Sequence, residues 1–348
     1  MRRDPAPKDI DIALQGGGAH GAFTWGVLDR LLAERQLRID GISGTSAGAM
    51  NAVVLADGFS RGGGPDGARQ ALRTFWKAIS SASRFSPLQR TFLDRLLGSW
   101  MLDNSLGYFL LQFAGSLISP YDFNPFNVNP LRELLCRLVD FDRVRTCHGL
   151  NVFISATNVR TGTARIFRRH EMDADKVMAS ACLPQLFQAV EIDGEAYWDG
   201  GYMGNPALFP LIDETEANDL IIIQVNPIVR NETPRRAAEI MNRLNEITFN
   251  ASLIKEIASI LLMKKLIDEE HVNRVSYTDM RLHRIDANDE LQRLGVASKL
   301  NAEWAFIEYL HDIGYAAAEH WLTENLHRIG VESTLDLSCL HLAERQNR

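Results

Sequence analysis

Residues 9–48 read DIDIALQGGGAHGAFTWGVLDRLLAERQLRIDGISGTSAG, and this pattern sets the fold class. Asp9 to Gln15 alternates polar and apolar residues before a glycine cluster, as a strand entering a tight turn does. From Ala22 to Arg35, Phe23, Val27, Leu28, Leu31 and Leu32 recur at helical spacing, and a second strand-like run follows at Ile39 to Ile42. Strand, glycine turn, helix, strand is the unit from which parallel sheets are built.

The alternation continues outward. A small-residue helix is expected through Met50 to Leu55, followed by an exposed, mobile glycine-rich linker at 58–67. Residues 68–130 read as an apolar helical insertion that breaks at Pro120, Pro125 and Pro130. Strands are expected at 151–157, 164–167, 191–198 and 219–225, the last continuously apolar and so buried on both faces. Two amphipathic stretches, 235–266 and 301–327, flank a strand within 275–285; in the second, Trp304, Ile307, Leu310, Ile313, Ala317, Trp321 and Leu322 share roughly one face. The chain therefore reads as α/β with a largely parallel sheet. Its organisation is a tail at 1–8, a main domain at 9–226 that holds the insertion, and a mainly helical part at 227–348 packed on that domain.

Bulk properties narrow the function. The 348 residues are 46% hydrophobic and 23% charged, which suits a packed, enzyme-sized domain. A net charge of -7 gives no global attraction for nucleic acid or an anionic membrane, so any lipid contact must be local and apolar. Cys136, Cys147, Cys182 and Cys339 show neither zinc-site nor disulfide-framework spacing, and no metal or other cofactor is indicated. The first nine residues lack an apolar signal core, and the longest uncharged run, 104–121, is interrupted by Gly107, Gln112 and Gly115. A cytoplasmic location is expected, with oligomerisation left open.

Three short motifs carry chemistry. Gly16-Gly17-Gly18-Ala19-His20-Gly21 formally matches GxGxxG, and Asp40 near the end of the next strand would then serve as a ribose-binding acid. More generally, successive glycines ahead of a helix point backbone N–H groups into one concavity that holds a pyrophosphate or a developing oxyanion. The second motif, Gly44-Thr45-Ser46-Ala47-Gly48, is a GxSxG sequence between strand and small-residue helix, the setting of a nucleophile elbow. The third, Asp199-Gly200-Gly201, releases an acid from a strand end into a loop; alone it is also an ordinary turn.

Together, and in this order, the glycine turn, GTSAG and the distant DGG resemble the three signatures of patatin-like phospholipases over about 9–226, and Ala179 to Phe187 (ASACLPQLF) is similar to the block that precedes DGG in that family. The resemblance implies a three-layer α/β/α fold and hydrolysis of lipid acyl esters. It makes Ser46 the nucleophile and Asp199 its general base, with N–H groups among Gly16, Gly17, Gly18 and Ala19 forming the oxyanion hole. Gly21, Gly44, Gly48, Gly200 and Gly201 support the turns. Many family members carry Arg or Lys where this chain has His20, which is either a cation near the loop or a structural cap. An Asp at the ordinary pKa of about 3.9 is a feeble base at pH 7, so Asp199 must be partly desolvated.

Two rivals stand beside this reading. One is a Ser-His-Asp esterase drawing on His271, His283, His311, His320, His327 or His341, all of which follow Asp199. The other is a non-catalytic lipid- or nucleotide-binding protein. Leu93, Leu96, Leu97, Trp100 and the run 108–118 are candidates for a lid, or for peripheral membrane contact across 93–118, and equally for core.

Overall fold

The computed structural model describes residues 6–335 except 85, 87, 92, 93, 95, 97, 104, 106, 108–117 and 270–278. The described residues form a sheet of β1 (Lys8–Leu14), β2 (Leu37–Gly44), β3 (Asn151–Asn158), β4 (Ala164–Arg168), β5 (Val190–Ile192), β6 (Glu195–Asp199), β7 (Asp219–Ile223) and β8 (Arg281–Ile285). Strands β3, β2, β1, β7 and β8 are parallel neighbours in that order. Strands β4 and β6 join β3 antiparallel, and β5 pairs β6.

Side chains alternate across the strands, so each strand feeds two cores. Ile10, Ile12 and Leu14 of β1, Val152 and Ile154 of β3, and Ile221 and Ile223 of β7 enter one core. Helices α1 (Gly21–Ala33), α2 (Ala47–Gly58), α3 (Gly64–Ser83) and α7 (Trp304–Asn325) supply its other side. The intervening Ala13, Phe153, Leu220 and Ile222 enter a second core with α5 (Phe209–Glu214) and α6 (Ala237–Asp268). The result is three layers around a mostly parallel sheet, the sheet as the alternation of elements predicts and the three layers as the family resemblance implies. One short helix, α4 (Ala174–Ser180), reaches the candidate site from the side.

Three expectations change. Residues 58–67 are not a linker: a π-helical turn at Phe59–Gly63 joins α2 to α3. Glycine serves closeness here, because a Cβ on Gly67 would lie 2.5 Å from the Gly58 oxygen and one on Gly58 2.5 Å from the Ala71 Cβ. The run 191–198 is two strands, since Asp193 (φ 53) and Gly194 (φ 81) form a left-handed hairpin turn. In α7 the buried face is Phe306, Ile307, Leu310, Gly314, Ala318, Trp321 and Leu322, with Trp304, Ile313 and Ala317 only partly buried beside it.

That face is set by a glycine crossing. A Cβ on Gly26 of α1 would lie 1.9 Å from the His311 carbonyl oxygen, and one on Gly314 of α7 would lie 2.1 Å from the Phe23 oxygen. Backbone cannot retreat as a flexible side chain can. Alanine ordinarily favours a helix interior by about 1 kcal/mol over glycine, but forced separation of two packed helices costs about 1 to 3 kcal/mol or more. Gly314→Ala is therefore expected to lower the thermal unfolding midpoint; a raised midpoint would show that the helices separate at no cost.

Candidate active site

The site begins where β2 runs out. Gly44 ends the strand and Ala47 starts α2, leaving Ser46 at φ 55, ψ -119, a backbone region that costs a non-glycine residue about 1 to 3 kcal/mol. Its neighbours explain the motif spacing. A Cβ on Gly44 would meet the Gly48 oxygen at 2.5 Å, and one on Gly48 would meet the Leu14 oxygen at 2.4 Å. The Ser46 N–H donates to Ser180 Oγ at 2.9 Å, and Thr45 Oγ1 donates to the Gly204 oxygen at 2.6 Å, so both flanks of the turn are tied to distant chain.

Asp199 arrives from the opposite direction. Ile154 of β3 pairs Gly44 on one side and Phe167 of β4 on the other, while Ala156 pairs Asp199 and Arg165 of β4. Because β4 takes one whole side, β2 and β6 share the other, and their ends meet head-on across Ser155. The two glycines after Asp199 permit this. A Cβ on Gly200 would lie 2.1 Å from the Ser155 oxygen, and one on Gly201 2.1 Å from the Phe249 ring.

The Asp199 carboxyl is fully buried. Burial pushes its pKa up to about 7, against the opposing pull of the Gly201 N–H, the Ser46 hydroxyl and the Lys299 ammonium. Oδ1 accepts the Gly201 N–H at 2.7 Å, whereas Oδ2 has no aligned hydrogen-bond donor. The Ser46 hydroxyl is thus a close neighbour of the carboxylate without a formed hydrogen bond to Oδ2. Beside it, burial and Asp199 push the Cys182 thiol up to about 12, which keeps it protonated.

The glycine turn is clamped from outside its own segment. Gly16 donates its N–H to Asn205 Oδ1 at 2.7 Å, and its carbonyl accepts Asn226 Nδ2 at 2.8 Å. Gly16 is therefore a support: its N–H is already taken and does not face an oxyanion. The N–H groups of Gly17, Gly18 and Ala19 find no acceptor among the described residues. Gly18 needs its positive φ of 59 and its bareness, since a Cβ would lie 2.5 Å from the Lys299 oxygen. Gly21 is equally tight, 2.7 Å from the Ala47 Cβ, which binds the turn to the start of α2.

His20 is no cation. It is buried, its Nε2 is 2.8 Å from Ser298 Oγ, and burial helped by Lys299 pushes its pKa down to about 3. The charge near the turn comes instead from Lys299, whose Nζ donates to Asn226 Oδ1 at 2.7 Å. Nothing in the sequence marks Lys299, Asn226, Asn205 or Ser180 individually. The weak signals are a polar residue directly after the apolar run 219–225 and a serine inside the block 179–187.

The rivals fare differently. Asp40 accepts the Glu216 N–H at 2.7 Å, so the acid required by a dinucleotide reading is already engaged. His283 is buried between Asp219 and Thr334, and His311 bridges Asp29 and Asp312. His320 pairs Glu324 on the surface and His327 is exposed. No described histidine reaches Ser46 or Asp199; His271 and His341 lie outside the described residues. Of the apolar insertion, Leu93, Leu97 and 108–117 also lie outside them. Trp100 packs against Phe306 and Tyr309 beneath Arg90, while Leu96 is exposed. Exposed apolar side chains gather just beyond, at Ile118, Tyr121, Phe123, Phe126 and Val128. This segment borders a cavity of about 430 Å³ lined by Tyr121, Met178, Cys182 and Phe187 among others.

Solved structures similar to the chain include VipD from Legionella pneumophila, at 16% identity and TM-score 0.37 over 88% of this chain and 67% of that one. ExoU in complex with SpcU, from the type III secretion system of Pseudomonas aeruginosa, matches at 15% identity and TM-score 0.32 over 91% of this chain. The chain spans about half (52%) of that matched chain's length. No curated protein matches in sequence. The family model described as Patatin-like phospholipase matches residues 12–212, more than half of the sequence and all three motifs, and the chain belongs to the patatin-like phospholipase family.

Proposed function

We propose that the protein is a serine hydrolase of lipid acyl esters working through a Ser46–Asp199 dyad. The observation that carries this reading is the buried Asp199, with Oδ2 unpaired, a pKa of about 7 and the Ser46 hydroxyl as its neighbour. A carboxylate so placed is a base matched to neutral pH. Ser46 Oγ attacks the ester carbonyl as Asp199 takes its proton. The oxyanion is held by the N–H groups of Gly17, Gly18 and Ala19, and the protonated Asp199 then returns the proton to the departing alkoxide. Water, deprotonated by Asp199, cleaves the acyl-enzyme and regenerates Ser46. The lipid surface is met by the exposed segment 118–128, next to the region 93–118 that the sequence offers equally as lipid contact or as core. A strand-poised carboxylate with a serine neighbour, and no engaged histidine among the described residues, favours this over a triad or a binding module.

Ser46→Ala and Asp199→Asn should each reduce hydrolysis of a p-nitrophenyl ester and of phospholipid vesicles at least about a thousandfold while the protein stays folded; a fully active Asp199→Asn enzyme removes the dyad. His320→Ala should leave both activities intact.

Because the active base is the ionised form, kcat/KM should rise with pH from 5 through about 7, a raised-pKa acid being empty of protons only above that value. A profile flat from pH 5 to 8 would mean that a group of ordinary carboxylate pKa is the base. The paired substitution Phe126→Ser, Val128→Ser should slow vesicle hydrolysis severalfold and spare the soluble ester; equal loss on both substrates would place the segment in the fold and not at the interface.

A further inference from the structure

The Gly16–Gly17 peptide is held in a way that its neighbours are not. Asn226 is buried, and its orientation follows from its partners: the Lys299 ammonium can only donate, while the Gly16 carbonyl and Gln15 Oε1 can only accept. Gln15 Oε1 in turn is fixed by the N–H groups of Val225 and Asn226. The amide of Asn226 therefore lies between a positive charge and a peptide carbonyl in one continuous chain of donors and acceptors. In a trans peptide the N–H opposes its own C=O, so pinning the Gly16 oxygen to Asn226 turns the Gly17 N–H the other way, where it has no acceptor.

We propose that Lys299 and Asn226 form a polarising relay on the Gly16–Gly17 peptide, so that Gly17 N–H is the strongest oxyanion donor of the turn. Each donation onto a carbonyl or amide oxygen draws electron density from the conjugated nitrogen, strengthening the next donor in line. Lys299 and Asn226 are positioning residues, since neither needs to touch the substrate. The relay rests on the acyl-hydrolase reading of the site. Both residues lie beyond the 12–212 span that carries the family match. The cation that the glycine turn lacks at His20 is supplied by a segment almost three hundred residues away.

The charged groups around Lys299 are Asp199 from the end of β6, Glu246 from α6 and Arg230. Glu246 is paired with Arg230 and Arg243. Burial brings Lys299 down to about 8, with Glu246 and Asp199 holding it up against Arg230, so it is charged at neutral pH.

The test is steady-state kinetics on a soluble p-nitrophenyl ester with Lys299→Met, Lys299→Arg, Asn226→Ala and the Lys299→Met, Asn226→Ala pair. An oxyanion donor removed outright costs about a hundred- to a thousandfold in kcat. Weakening one through the relay should cost about tenfold in kcat, leave KM within about twofold, and be largely restored in Lys299→Arg. The double variant should be no slower than Asn226→Ala, because one link already breaks the chain. Wild-type kcat should fall above pH 8 as Lys299 loses its proton, and this limb should vanish in Lys299→Arg. Multiplicative losses in the double variant, or an unchanged kcat in Lys299→Met, overturn the relay.

A readout independent of turnover is the Gly17 amide proton resonance in glycine-labelled protein. It should move upfield in Lys299→Met and in Asn226→Ala, and an unmoved resonance overturns the relay. A wild type inert on esters overturns the hydrolase reading, and the amide shift then still decides whether the polarised peptide exists.

Discussion

Strand β3 offers a single edge to two strands running in opposite directions, and the candidate site is what forms where they meet. β2 occupies that edge as far as Ile154, and β6 fills it back to Ala156. Neither Ser46 nor Asp199 needs a long or flexible approach, since each leaves a strand whose end is fixed by ladder hydrogen bonds. The distance between the Ser46 and Asp199 side chains is thus a property of the sheet, and loops contribute little to it. The glycines around the meeting point follow from the same constraint. With two backbones and the start of α2 converging on one place, Gly44, Gly48 and Gly200 each have a carbonyl oxygen where a side chain would begin.

Burial is the second consequence. Where the strands meet head-on, the Asp199 carboxyl becomes part of the interior. An unpaired buried charge is costly, and a raised pKa is how the carboxyl limits that cost. The residues around it temper the cost without removing it: one N–H from Gly201, a serine hydroxyl and an ammonium group at longer range. A carboxylate satisfied by two or three backbone donors would be more stable and a poorer base.

Sequence made the sheet legible because its signals are local. Alternation in β1, the apolar run of β7 and the spacing of GTSAG each report on a window of a few residues. The errors have equally local causes. Glycine at 58–67 resembles a linker because freedom of φ and lack of bulk leave the same letter; here lack of bulk is the reason at Gly58 and Gly67, and positive φ at Gly62 and Gly64. The hairpin at Asp193 and Gly194 was hidden inside a run whose alternation survives the turn. The clamp on the glycine turn left only one weak trace, the polar residue directly after the apolar run 219–225. Gln15 bonds Asn205, Asn226 and Asn250 across about two hundred residues of sequence, and nothing in the window around Gln15 marks those partners. His20 looks the same whether solvated or buried; only the packing of Ser298 and Phe306 against it decides that it is neutral.

The distance along the chain of those clamping residues also has a temporal meaning. During synthesis Ser46 emerges early, and Asp199 can meet it once β6 is made. Asn226, Asn250 and the segment that carries Lys299 appear later still. A chain made only as far as β6 thus holds Ser46 and Asp199 but lacks Asn226, Asn250 and Lys299, the partners that orient the turn between β1 and α1. Under the proposed chemistry such a chain would have a nucleophile without an ordered oxyanion site, and membranes near the ribosome would be spared until the last third of the protein had folded onto the first.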